Sequence, residues 1–204
     1  MLDAALIKEC GEPSLKPAIV EQFVLAAGSD DPLAVTVKSG GRLILVPKAA
    51  STEEAMAIVR QYAGQAVVRV GLTQFPVGVG VKDATDLKPD LVDPCQNLRK
   101  GTAMFAKILR IVAKWYGNPT SKDVFPQIFE DAIYAWKTGE FEGASVFRAE
   151  DPGNTVTIGN ALPLDEGTAA SDMPPADRTA QTDHESRSTG SAEMRIDLSR
   201  IGVK

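Results

Sequence analysis

Few residues in this 204-residue chain are equipped for chemistry. Its one histidine, His184, lies in the last quarter, and its two cysteines stand at Cys10 and Cys95. Without a histidine ahead of that point, no Ser-His-Asp or Cys-His relay can be assembled from the main body. Two cysteines and no nearby histidine do not make the usual zinc site, and no other motif calls for a cofactor. Acid–base work is left to carboxylates. Asp30 and Asp31 stand side by side just past an apolar helical stretch. They read either as a solvated turn, with Asp31-Pro32 redirecting the chain, or as a stand-in acid. Glu21 is six positions before Ala27 and points about 120° away from it on a helix.

Charge is unevenly placed. Residues 1–149 carry 17 Lys+Arg against 17 Asp+Glu, whereas residues 150–204 carry 5 against 10. The whole net charge of −5 therefore sits in the last quarter. A neutral body with an acidic end lacks the basic footprint of a nucleic-acid binder. No apolar run approaches 18 residues, so no transmembrane segment is expected.

The elements that must position these residues follow from spacing. Residues 14–26 repeat apolar side chains at helical intervals, with Ser14 as cap and Pro17 in the first turn. Segments 34–38 and 42–47 read as a hairpin around Ser39-Gly40-Gly41. Ser51 and Glu54 form a capping box ahead of a third segment, and 66–70 is a short strand. Asp93-Pro94 opens a long helix to about Trp115, and a last helix covers about 124–137. There is no internal repeat. The expected domains are a body, 1–149, and a disordered acidic tail, 150–204. The tail has no aromatic residue and too few branched ones to offset the cost of ordering. Spaced apolar residues return at 192–204, either as a sticky end or as a short docking segment.

Five stretches, taken in order, resemble the lysozyme-like lytic transglycosylases of type IV secretion and conjugation systems. They are Cys10 with SLKPAIVEQFV; Asp31-Pro32-Leu33-Ala34; Gly71-Leu72-Thr73-Gln74-Phe75; Asp93-Pro94-Cys95-Gln96-Asn97-Leu98 with Gly101; and Ala132 to Gly139. The order and spacing are most similar to the TraH family of conjugal transfer proteins. The resemblance implies an α+β, mainly helical, lysozyme-like (transglycosylase SLT-like) domain with a small antiparallel hairpin. It implies a Cys10–Cys95 disulfide, the alternative being two reduced thiols. It also suggests Gln74, Trp136 and Asp31 as ligand-binding positions. Gln74 reads either as a sugar contact or as a bond to its own turn. Trp136 reads either as a stacking platform or as core.

The departures bear on chemistry. The enzymes carry a Glu-Ser pair four positions before the Asn/Asp of the second stretch; here that pair is Ala27-Gly28. Glycoside cleavage by this route needs a carboxyl group that protonates the leaving oxygen and then accepts a proton. A methyl group does neither. The family's Tyr-Asn is Trp136-Lys137 here, which also removes a hydroxyl beside the missing acid. The expectation is a non-catalytic accessory of plasmid conjugal transfer that binds peptidoglycan glycan strands or a component of the transfer apparatus. Two alternatives stand beside it: an active transglycosylase using another carboxylate, and a cytosolic scaffolding module. Family likeness and the cysteine pair point to the periplasm. The N-terminus, with no basic start, apolar core or cleavage site, points to the cytoplasm.

Overall fold

A computed structural model describes residues 2–79 and 86–153. The expected tail beyond 153, its docking segment at 192–204 and His184 lie outside the described residues.

Local chemistry sets the helix starts. Helix α1 (Ala4–Cys10) is not among the elements predicted from spacing; Asp3 caps it by accepting from the Ala5 amide at 2.9 Å. Helix α2 (Pro17–Ala27) begins at Lys16, which makes no side-chain cap. Ser14 is not the cap, because its hydroxyl bonds Glu12 instead. Pro17 has no amide to satisfy and already holds a helical φ, so the helix starts there. Helix α3 (Thr52–Tyr62) carries its cap as expected, with Ser51 Oγ accepting from the Glu54 amide at 3.2 Å. Helix α4 (Pro94–Trp115) is capped by Asp93, which accepts from the Gln96 amide at 2.8 Å. Helix α5 (Phe125–Thr138) ends at Gly139 with φ 85°.

The expected hairpin, β1 (Val35–Ser39) and β2 (Arg42–Ile44), turns through Gly40 and Gly41, both at positive φ. It is half of a larger sheet. Strands β3 (Val67–Val70) and β4 (Phe75–Pro76) complete an antiparallel sheet in the order β2-β1-β3-β4. A lone hairpin is marginal in water, and here β3 covers the open edge of β1. Val35 pairs with Val70 and Val37 with Val68; Val37, Val68 and Val70 are buried in the core and Val35 packs half-buried against it. The alternate positions, Thr36 opposite Arg69 and Lys38 opposite Val67, make up the other face. A further pair, β5 (Glu140–Phe141) and β6 (Ala144–Ser145), follows α5.

The core gathers around α4. Its Leu98, Phe105, Ile108, Leu109 and Val112 are fully buried against Phe23 of α2 and Trp136 of α5. Phe23 stacks on Phe105 at 4.0 Å, and Trp136 meets both edge-on. Cys10 and Cys95 are joined in a disulfide with Cα atoms 5.1 Å apart, tying the end of α1 to the first turn of α4. Asp151, in the segment assigned to the tail, pairs with Arg110 of α4 through Nε at 2.8 Å. Among the described residues no helix is long and apolar enough to cross a membrane. The domain is α+β and mainly helical.

Candidate functional site

The site is organised by the turn Gly71-Leu72-Thr73-Gln74 between β3 and β4. Asn97, on the second turn of α4 and 1% exposed, holds it from below. Its Oδ1 accepts from both the amide and the hydroxyl of Thr73 at 2.9 Å. Its Nδ2 donates to the carbonyls of Val70 at 3.0 Å and Leu91 at 2.7 Å. One buried amide thus satisfies four groups across three segments, which is how a buried polar residue is stabilised. Gly101 lies one turn further along α4, where a Cβ would meet Thr73 Oγ1 at 2.2 Å. The Asn and Gly of the Asp93–Gly101 stretch are there to seat this turn.

Two further helices close on the same turn. Trp136 Nε1 donates to the Thr73 carbonyl at 3.2 Å. The end of α2 approaches so closely that a Cβ on Gly28 would lie 2.1 Å from the Leu72 carbonyl oxygen. The Ser29 amide donates to that same oxygen at 2.9 Å. No side chain fits at position 28 in this packing, so the glycine belongs to the geometry. Gln74 takes a left-handed φ of 51°, unusual for a side-chain-bearing residue. Its amide and its Nε2 both donate to the Gly71 carbonyl, each at 3.1 Å, which offsets the strain.

These contacts frame a pocket of about 270 Å³ on the outer side of the sheet. Ala27 and Gly28 form one wall, Thr36 and Lys38 of β1 another, and Arg69, Gln74 and Lys137 complete it. Every charged side chain in this lining is basic. Lys38 and Lys137 are exposed, while Arg69 is only 9% exposed.

Arg69 is the residue that sequence reasoning missed. Its Nη1 donates to the Gln74 carbonyl at 3.2 Å; its Nη2 donates to the carbonyls of Trp136 at 2.6 Å and Lys137 at 3.0 Å. The last two are unsatisfied carbonyls at the negative end of α5, so the guanidinium caps that helix. The rings of Trp136 and Phe147 lie 6.0 and 5.9 Å from its Cζ. Among the described residues no carboxylate pairs with it. Desolvation without an anionic partner lowers its pKa to about 10. The only hint in the sequence is alternation within Val67–Val70, which sends Val68 and Val70 inward and Arg69 to the other face. Nothing in that pattern announces that α5 will cover the arginine.

The residues singled out from sequence part company here. Gln74 lies in the pocket lining and also bonds its own turn. Trp136 as a sugar platform is corrected: it is 0% exposed, ringed by Phe23, Phe75, Phe105 and Phe147, and has no face to offer. Asp31 is not in the lining. Its Oδ1 accepts from the Leu33 amide at 2.9 Å, and its Oδ2 pairs with Lys48 at 3.2 Å, as in a solvated turn. Ala27 stands in the pocket wall, half-buried against the core.

The architecture is thus an α+β domain in which Asn97, Gly101, Trp136 and Gly28 converge on one turn beside a cationic pocket. The chain belongs to the TraH_2 family, among the TraH proteins of conjugal transfer, with residues 1–203 matched. A protein of Sinorhizobium fredii (strain NBRC 101917 / NGR234), called Uncharacterized protein y4dP, is 72% identical over 202 residues, 99% of each chain. No solved structure matches.

Proposed function

We propose that this conjugal transfer protein is a non-catalytic, lysozyme-like domain that binds peptidoglycan glycan strands where the transfer apparatus crosses the envelope. The observation that carries the reading is the lining around Ala27. The position matching the enzymes' catalytic glutamate bears a methyl group, and the charged neighbours are Lys38, Arg69 and Lys137. Cleavage would need a carboxyl group there, held protonated near neutral pH. Three cations would hold any carboxyl in its ionised form. A pocket of this kind can bind and cannot act as a general acid.

Other features fit the same reading. The disulfide between Cys10 and Cys95 suits an oxidising compartment such as the periplasm. Gln74, fixed by its two bonds to Gly71, presents a rigid polar edge in the pocket. The body is residues 1–149, and the acidic tail, 150–204, is left to contact other components of the apparatus.

Co-sedimentation of the purified full chain with intact sacculi tests this. The expected result is retention in the pellet with no loss of sacculus turbidity. No retention above a control protein of similar charge overturns the glycan reading.

A further inference from the structure

Among the described residues, the lining of the pocket beside Ala27 includes three basic side chains and no acidic one. Thr36 and Arg69 are cross-strand partners, and Lys38 lies two residues along β1, so all three occupy the outer face of the sheet. Lys137 enters from the end of α5 and Gln74 from the buried turn. Ala27 brings only a methyl group to the lining, and Gly28 beside it packs against the Leu72 carbonyl. We infer that this pocket is an oxyanion site and that its ligand is a free carboxylate of the peptidoglycan stem peptide. The inference rests on the glycan-binding reading and names what the pocket recognises there.

Three lines support it. A guanidinium this deep, bonded only to carbonyl oxygens, gains from an anion because burial otherwise penalises its charge. Burial lowers its pKa to about 10, the same desolvation penalty seen in its protonation. The two exposed lysines add charge at the mouth, where they steer an anion inward. Stem peptides are a chemical match, since they present carboxylates a few ångströms from the glycan chain that the reading places on this surface. A neutral sugar has no use for three cations.

The test is calorimetric titration of the full chain with three soluble probes. They are a neutral chitooligosaccharide, a disaccharide–peptide fragment with free carboxylates, and that fragment with its carboxylates amidated. The variant Lys38→Ala/Lys137→Ala, at two exposed positions of the lining, is titrated beside it. Sodium acetate is titrated separately while the ¹⁵N signals of the Arg69 guanidinium are followed. The expected result is binding of the free-carboxylate fragment, weakened at least tenfold both by amidation and by the double substitution. Equal binding of free and amidated fragments, or an unchanged double variant, overturns the carboxylate assignment and leaves glycan binding intact. If no fragment binds but acetate shifts the Arg69 signals, the anion pocket stands and its peptidoglycan source is overturned. If neither occurs, both fall.

Discussion

The amide and the hydroxyl of Thr73 both donate to Asn97 Oδ1, each at 2.9 Å. Through this one acceptor the turn that carries Gln74 is fixed to the central helix. Replacing Asn97 with alanine strands the Val70 and Leu91 carbonyls and the Thr73 amide inside the protein. The expected loss is about 2–4 kcal/mol of stability, since buried unsatisfied groups cost about 1–3 kcal/mol each with partial relaxation. Asn97→Asp is no rescue, because the two carbonyls need N–H donors. Urea denaturation reads both variants, and wild-type midpoints would refute this role.

Trp136 is core in this fold, and truncation should show it. Trp136→Ala is expected to cost about 3–5 kcal/mol, the usual range for deleting a buried large aromatic. Trp136→Phe keeps most of the packing and loses the bond to the Thr73 carbonyl, so about 1–2 kcal/mol is expected. Because the ring has no exposed face, the phenylalanine variant should still co-sediment with sacculi. Loss of sacculus binding without loss of stability would restore a sugar-contact role.

The disulfide closes a long loop, with Cys10 and Cys95 separated by 85 positions in sequence. Cys10→Ala/Cys95→Ala is expected to lower stability by about 4 kcal/mol on the chain-entropy account. Thermal denaturation with and without reductant checks it: reductant should lower the wild-type Tm and leave the double variant unmoved.

Acid sensitivity should come partly from Asp151. Its bond with Arg110 holds the carboxyl below the usual 3.8, so the folded state favours the ionised form. That contribution is fully present above the unfolded pKa and fades as pH falls through the lower folded value. The pair is partly exposed, so Asp151→Asn should cost only about 0.5 kcal/mol at pH 7. The gap from wild type should narrow as pH falls through that lower folded value. A constant gap across pH would refute the pairing.

Ala27→Glu should not create a hydrolase. The new carboxyl would sit among Lys38, Arg69 and Lys137, which favour its ionised form and deny it the proton a general acid must deliver. It should also occupy the anion pocket and weaken binding of carboxylate-bearing fragments. Sacculus clearance by this variant would show that the cleft is otherwise competent.

Much of the scaffold is legible in the sequence because local chemistry marks it. Asp93-Pro94 and Ser51–Glu54 announce their helices by capping, and Gly40-Gly41 announces its turn. Helix α1 escapes because seven residues hold too little periodicity, and only the Asp3 cap betrays it. The full sheet escapes because β4 is two residues long and exists only through pairing with β3. The site is less legible than the scaffold. Ala27 stands out only against a motif, and Asn97 reads as one polar residue on an amphipathic helix. Arg69 becomes distinctive only when the end of α5 packs over it, a long-range event 67 residues away in sequence. Trp136 is ambiguous for a related reason, since a tryptophan at helical spacing suits a cleft or a core until its neighbours are known.

The central proposal is recognition of peptidoglycan without its cleavage. The most direct measurement is release of soluble glycan fragments from purified sacculi by the wild-type chain, with an authentic lytic transglycosylase run in parallel. The expected result is release no greater than buffer alone while the protein is recovered with the sacculi. Release at a rate comparable to the enzyme would contradict it.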